Sequence, residues 1–278
     1  PKEAPMTTIE IIKQSAKDCK INAKPLAIVM LLAGVPLFWL KCQQDVFYPL
    51  SFSRLFLWPL GRLTGQEDYL LTWNLSHFVD SLLPILLDNF LIPLFVFLPV
   101  CIILKQSTDF HIRQGGRLWL HYAGRISLLG VFFTLARIAA IGVFIGLRHL
   151  FDVTASLTGI LTVLAFTALM ILLPFWIFLT VFAPIAAVQK ERSAYHSIRY
   201  CARLLNKHII RTLWGYFKLA FLFGIFLLPK DKLTLNPVSP TLKSTIFYVF
   251  YHVVLYPVQL KCYASYLDET LHFYLNGD

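Results

Sequence analysis

From Val153 to Val188 the chain carries no charged side chain. No water-facing surface can be built from such a run. At about 1.5 Å per helical residue it also exceeds the roughly 30 Å hydrocarbon core of a bilayer. A backbone crossing lipid must satisfy its own polar groups, so the run is expected to be helical. It either tilts and projects as one kinked span or breaks in two at Pro174. One kinked span is the expected form, because an extra crossing would put the basic segment behind it on the wrong side. Composition extends the argument to all 278 residues: 57% are hydrophobic and 14% charged, about half the charge of an ordinary soluble domain. Mean hydropathy is +0.65. The expected class is all-α, a single polytopic membrane domain over residues 1–278.

Six stretches are long and apolar enough to cross, near 25–40, 78–104, 126–147, 157–188, 213–228 and 244–266. The first and fifth are short, but Lys24, Lys41, Trp214 and Lys230 flank them and reach the interface. The net charge of +10 then acquires a place. With the N-terminus inside, seven basic residues fall outside (Lys41, Arg54, Arg62, Arg148, Lys230, Lys232 and Lys243), and Arg137 and Lys218 fall within spans. The other sixteen of the 25 fall inside. That bias predicts both termini in the cytoplasm and explains the basic balance without nucleic acid as a partner. Residues 1–24 are polar and amphipathic, unlike a secretory leader.

The same short pattern occurs ahead of each odd-numbered span: Ile12-Lys13-Gln14-Ser15-Ala16-Lys17, Ile112-Arg113-Gln114-Gly115-Gly116-Arg117 and Ile198-Arg199-Tyr200-Cys201-Ala202-Arg203. In the later copies Arg113, Arg117, His121 and Arg125 match Arg199, Arg203, Lys207 and Arg211; the first keeps Lys13, Lys17, Lys20 and Lys24. Residues four apart form one stripe on a helix. The chain is therefore expected to hold three repeat units, about 8–104, 108–188 and 194–266, with a tail at 267–278. Each would be a basic amphipathic helix followed by a helical hairpin. Opposite the stripes stand Ile11, Ile12 and Ile21, then Leu118, Trp119 and Tyr122, then Leu204, Leu205 and Ile209. These faces are expected to lie in the headgroup layer, with the helices parallel to the membrane plane. The stripes either set topology alone or form a collar that gathers anionic lipid.

One stretch resembles a known family. Leu173-Pro174, Phe182-Ala183-Pro184-Ile185-Ala186-Ala187-Val188-Gln189 and Ser197-Ile198-Arg199 with Arg203-Leu204 are similar to the YciC-like inner-membrane proteins of Gram-negative bacteria. The close of the last span, with Lys261, Tyr263 and Tyr266, is similar too. The aromatic segment 41–77 and the acidic Asp268-Glu269 depart from that pattern. The resemblance implies six spans and a bacterial inner-membrane location. It supplies no catalytic residue.

Ionisable groups inside a bilayer are where function is sought first, because each is costly unless paired. His77, Asp80, Pro84 and Asp88 share one face of the second span. Asp88 and Arg137 are both placed near mid-depth, either as a clamp between adjacent helices or as a solute or proton site. His252 and Tyr256 stand one turn apart and line either a cavity or a packed aromatic face. Prolines gather in descending spans, at Pro84, Pro93, Pro99, Pro174, Pro184 and Pro257. Of five cysteines only Cys42 falls outside, so no disulfide within the chain is expected. No phosphate loop, metal-ligand spacing, nucleophile elbow or dinucleotide turn occurs, and no metal, cofactor or catalytic residue is assigned. The aromatic strip 51–63 reads as an interfacial segment or a docking surface. The leading expectation is a non-enzymatic membrane protein of envelope or lipid organisation, or a subunit of a membrane complex or homo-oligomer. The alternative is a small permease using Asp88 and Arg137.

Overall fold

The computed structural model describes residues 6–47, 85–105, 112–153, 158–225, 246 and 248–271. Among them there is no strand. Helix α1 (Thr8–Ile21) begins with a reciprocal cap. The Glu10 backbone N–H donates to Thr7 Oγ1 (3.4 Å), and the Thr7 N–H donates to Glu10 Oε2 (2.7 Å). It ends at buried Asn22, whose φ of −99° and ψ of 21° leave the helical region. Helix α2 follows as Ala23–Val29, a wider π turn at Met30–Gly34, and Val35–Phe47. Helix α3 contains π turns Leu87–Leu91 and Pro93–Phe97 and the α-helical Leu98–Lys105. Helices α4 (Ile112–Val153), α5 (Thr158–Gln189) and α6 (Ala194–Ile225) are long. Helix α7 contains the π turn Tyr251–Leu255, the α-helical Tyr256–Ser265 and the π turn Tyr266–Leu271.

Four of these π turns have one cause. They end at Gly34, Leu91, Phe97 and Leu255, each two residues before a proline: Pro36, Pro93, Pro99 and Pro257. A proline ring collides with the carbonyl four residues back and leaves it without a donor. Adding a residue to the turn relieves both, and the residue before each proline donates five back, as Ile92 does to Leu87. The bulged carbonyl of Asn89 abuts Gly130 of α4, where a side chain would collide with it and with the Phe90 ring. Glycine at 130 is thus what lets α3 and α4 approach. The prolines were read as gathering in descending spans; Pro36 puts a π turn in α2 as well. Pro174 and Pro184 lie inside α5, which continues from Thr158 to Gln189 without splitting in two. Pro84 lies outside the described residues.

Helices α3, α5 and α7 touch one another in the middle of the bundle. Around them α2 packs against α3 and α7, α4 against α3 and α5, and α6 against α5 and α7. Burial follows: Leu87–Lys105 is 56% buried, against 17% for Ala23–Lys41 and 28% for Gln114–Ala139. In the core Phe182 meets Tyr216 and Tyr263, both at 5.7 Å between ring centres. Tyr266 Oη donates there to the Thr212 carbonyl (3.2 Å), its ring lying against Gly215. The outer faces carry exposed Leu32, Leu128, Leu135 and Phe221, which suits lipid rather than water. Ala23–Lys41, Leu87–Lys105 and Gln114–Ala139 are long and apolar enough to cross a membrane. The described part of the chain is thus all-helical, with three helices of membrane-spanning length and apolarity.

Two expectations are corrected. The second basic segment is not a separate in-plane helix, because α4 runs unbroken for 42 residues, about 63 Å, from Ile112 to Val153. Its Arg117–Arg125 stretch is coaxial with the apolar part. The first and third segments do break, at Asn22 and at His208 (φ −140°, ψ 49°), whereas Tyr122 stays helical and 2% exposed inside the bundle. The apolar faces opposite the stripes do not lie in a headgroup layer either. Ile11, Tyr122, Leu204 and Leu205 are buried against neighbouring helices, and only Ile21 and Ile209 of those residues are exposed.

Candidate functional site

The basic ends of the helices gather at one end of the bundle. There α1 lies against the close of α7, and Lys261 pairs with Asp18 at 3.1 Å. Two further pairs stand beside it, Lys105 with Glu191 (2.7 Å) and Lys190 with Asp268 (2.5 Å). Lys105 closes α3, Lys190 follows the end of α5 and Lys261 lies within α7, and the pairs link α3 to the segment after α5, that segment to α7, and α7 to α1. Asp268 therefore has a structural task.

Lys105 shows how this end is built. Its Nζ donates to Glu191 Oε1, to the Tyr122 hydroxyl (3.1 Å) and to the Val188 carbonyl (3.2 Å). All three ammonium protons are used, and one meets the C-terminal carbonyls of α5, where a cation is favoured. Glu191 stands just past α5 with φ of 52°, a left-handed conformation that side chains other than glycine adopt at a cost. The hydrogen bond and charge of Lys105, with the hydrogen bond from Tyr122, hold its carboxyl below the usual range. Beside these pairs burial pushes the thiols of Cys19 and Cys201 up to about 12, so neither is a reactive nucleophile. Cys19, Cys101, Cys201 and Cys262 are all free and buried.

The three acids are thus committed to lysines, while the stripes face outward. Lys13, Lys17, Arg117, Arg199, Arg203, Lys207 and Arg211 are exposed, and Arg125 is half-buried. Arg125 sits 5.4 Å from the Tyr122 ring and 3.0 Å from His121. The side chain of Arg113 lies outside those described. Exposed apolar residues interleave with the cations: Ile9 and Ile21 on α1, Leu120 on α4, Ile210 and Trp214 on α6.

Toward the opposite end a second group forms. Asp88 pairs with Arg137 at 3.3 Å, and its other oxygen pairs with Lys41 at 2.6 Å. Asn89 Nδ2 donates to Thr134 Oγ1 (2.9 Å) one turn from Arg137. The π turn Leu87–Leu91 carries both Asp88 and Asn89. Arg137 was expected; Lys41 was assigned to the outer flank, and its pairing was missed. Lys41 lies seventeen residues past Lys24 and Asp88 seventeen before Lys105, about 26 Å along each helix. His77 and Asp80 lie outside the described residues, as does the 51–63 strip.

His252 belongs to an aromatic stack. Its ring lies 4.4 Å from Phe38 at 13°, and 4.4 Å and 5.1 Å from Tyr248 and Tyr251. Tyr256 meets the same Phe38 edge-on at 4.9 Å. Of the two expected arrangements, this is the packed aromatic face. The chain was compared with protein-family models, curated proteins and solved structures, and it matches none of them.

Proposed function

We propose that the chain is a six-pass inner-membrane protein built from three repeat units, whose basic end holds anionic lipid headgroups in envelope or lipid organisation. The observation that carries this reading is charge segregation at one end. Asp18, Glu191 and Asp268 are engaged by the lysines of the central helices, so the exposed residues of α1, α4 and α6 present a net basic surface. Each basic residue close to an anionic leaflet contributes about 1 kcal/mol. The YciC-like resemblance and the sixteen-to-seven bias of basic residues agree with both termini in the cytoplasm.

The repeat has support beyond the motif. In its register Ser15, Gly115 and Cys201 are all buried, as are Leu26, Ile126 and Thr212, and again Met30, Gly130 and Tyr216. Asn22 and His208, where α1 gives way to α2 and α6 bends, occupy the same repeat position as Tyr122. The second helix of each unit is central and the first peripheral.

Native mass spectrometry of the protein extracted in mild detergent tests the proposal. Phosphatidylglycerol or cardiolipin should be retained, with fewer copies retained when Arg199, Arg203, Lys207 and Arg211 are all changed to Gln. Equal retention by that variant would sink the lipid-binding end. The permease reading is less favoured, since the carboxylate of Asp88 is already held between two cations.

A further inference from the structure

Among the described residues, Lys218 is a charge within an apolar helix that no carboxylate answers. Lys41 and Arg137 share Asp88, but among the described residues no carboxylate pairs with Lys218. It lies seven residues past Arg211, about 10 Å along α6. Its surroundings are lipid-facing: Phe217, Phe221 and Leu222 are exposed beside it, while Tyr216, Leu219 and Phe223 turn into the core. An ammonium in such a strip is costly unless it reaches polar surroundings or finds an anion. Its Nζ sits 5.5 Å from the centre of the Trp214 ring, one turn nearer the basic end, and Trp214 is 62% exposed. The side chain therefore turns toward the interface, where indoles and lipid phosphates share a level.

We infer that Trp214 and Lys218 form a site for one anionic phospholipid on the outer face of α6. The ammonium takes the phosphate oxygen, the indole covers the glycerol region, and an acyl chain runs along Phe217 and Phe221. A lipid suits this place better than a partner's carboxylate, which would itself have to be desolvated in the same apolar strip. The site is particular to the third unit. At the corresponding positions the first has Ile28 and Leu32, and the second Leu128 and Phe132. The inference rests on the proposed membrane crossing of α6, but not on the exposed stripes binding lipid.

The test uses the full chain in nanodiscs and in detergent, titrated with phosphatidylglycerol. Lys218→Met should lose one retained anionic lipid and bind about fivefold more weakly, whereas Lys218→Arg should keep it. Arg199→Gln with Arg203→Gln should leave this lipid in place, so failure of the basic stripes and failure of this site are told apart. Lys218 is exposed, and an unchanged unfolding midpoint without added lipid verifies that the variants fold. The inference is overturned if Lys218→Met retains the same lipids as wild type. It is overturned equally if inorganic phosphate stabilises the protein as well as the lipid does, or if the variant loses a co-purifying protein instead of a lipid.

Discussion

Changing Asp88 should cost more than changing either of its partners, and the charge count explains why. The triad of Lys41, Asp88 and Arg137 has one anion and two cations. Asp88→Asn leaves both cations unanswered in apolar helices. Arg137→Gln leaves the 2.6 Å Lys41 pair, and Lys41→Gln leaves the 3.3 Å Arg137 pair. Stranding a partner of a buried pair costs about 3–5 kcal/mol, and a cation at a helix centre in lipid about 2.5–3.5 kcal/mol. The side chains here are 18% to 36% accessible and Lys41 can reach outward, so the cost is discounted to about 2 kcal/mol for Asp88→Asn. For either cation it is about 1 kcal/mol or less, because a neutral pair remains. Equilibrium unfolding in mixed micelles of rising dodecyl sulfate fraction, followed by circular dichroism, measures the three values. Asp88→Asn combined with Arg137→Gln should cost less than the sum of the single changes, since the second relieves part of the first. If Asp88→Asn proves no more destabilising than Arg137→Gln, the clamp reasoning is refuted. A variant that gains stability and loses solute uptake would revive the permease reading.

Two glycines of α4 should respond in opposite directions to alanine. Gly124 has open space where a Cβ would stand, so Gly124→Ala should stabilise by about 0.5–1 kcal/mol, and Gly130→Ala should destabilise by about 1–3 kcal/mol against the Asn89 carbonyl. The same micelle titration reads both. The folded pKa of Glu191 lies below its unfolded value, so its pairing with Lys105 stabilises above the ordinary carboxylate pKa of about 4.3 and is lost as pH falls through the lowered value. The unfolding midpoint of wild type should accordingly exceed that of Glu191→Gln at pH 6 and converge with it in acid; a gap that persists unchanged to the lowest pH would contradict this. Topology is best tested at an exposed position beside Cys201, because Cys201 itself is buried. In a chain lacking other cysteines, Ala202→Cys should react with an impermeant maleimide only after lysis, and labelling in intact cells would overturn the six-pass arrangement.

Helices and their places along the chain were legible because lipid and backbone chemistry leave few alternatives to a helix in a charge-free run. The basic stripes were legible for a similar reason, since a cation four residues from the next marks one face. The Asp88–Arg137 contact followed from two charges too costly to leave alone. Sequence could not show which apolar face meets protein and which meets lipid, because both are made of the same residues. The faces of α1, α4 and α6 opposite the stripes were thus assigned to headgroups, when Ile11, Tyr122, Leu204 and Leu205 fill the core. Only the packing decided that Lys41 reaches Asp88, that α4 runs on through Tyr122 while Asn22 and His208 interrupt the other two segments, and that three lysines far apart in sequence link four segments in a row. Those outcomes depend on how helices sit side by side, and that is set by the fit of ridges, glycines and bulged carbonyls rather than by hydropathy.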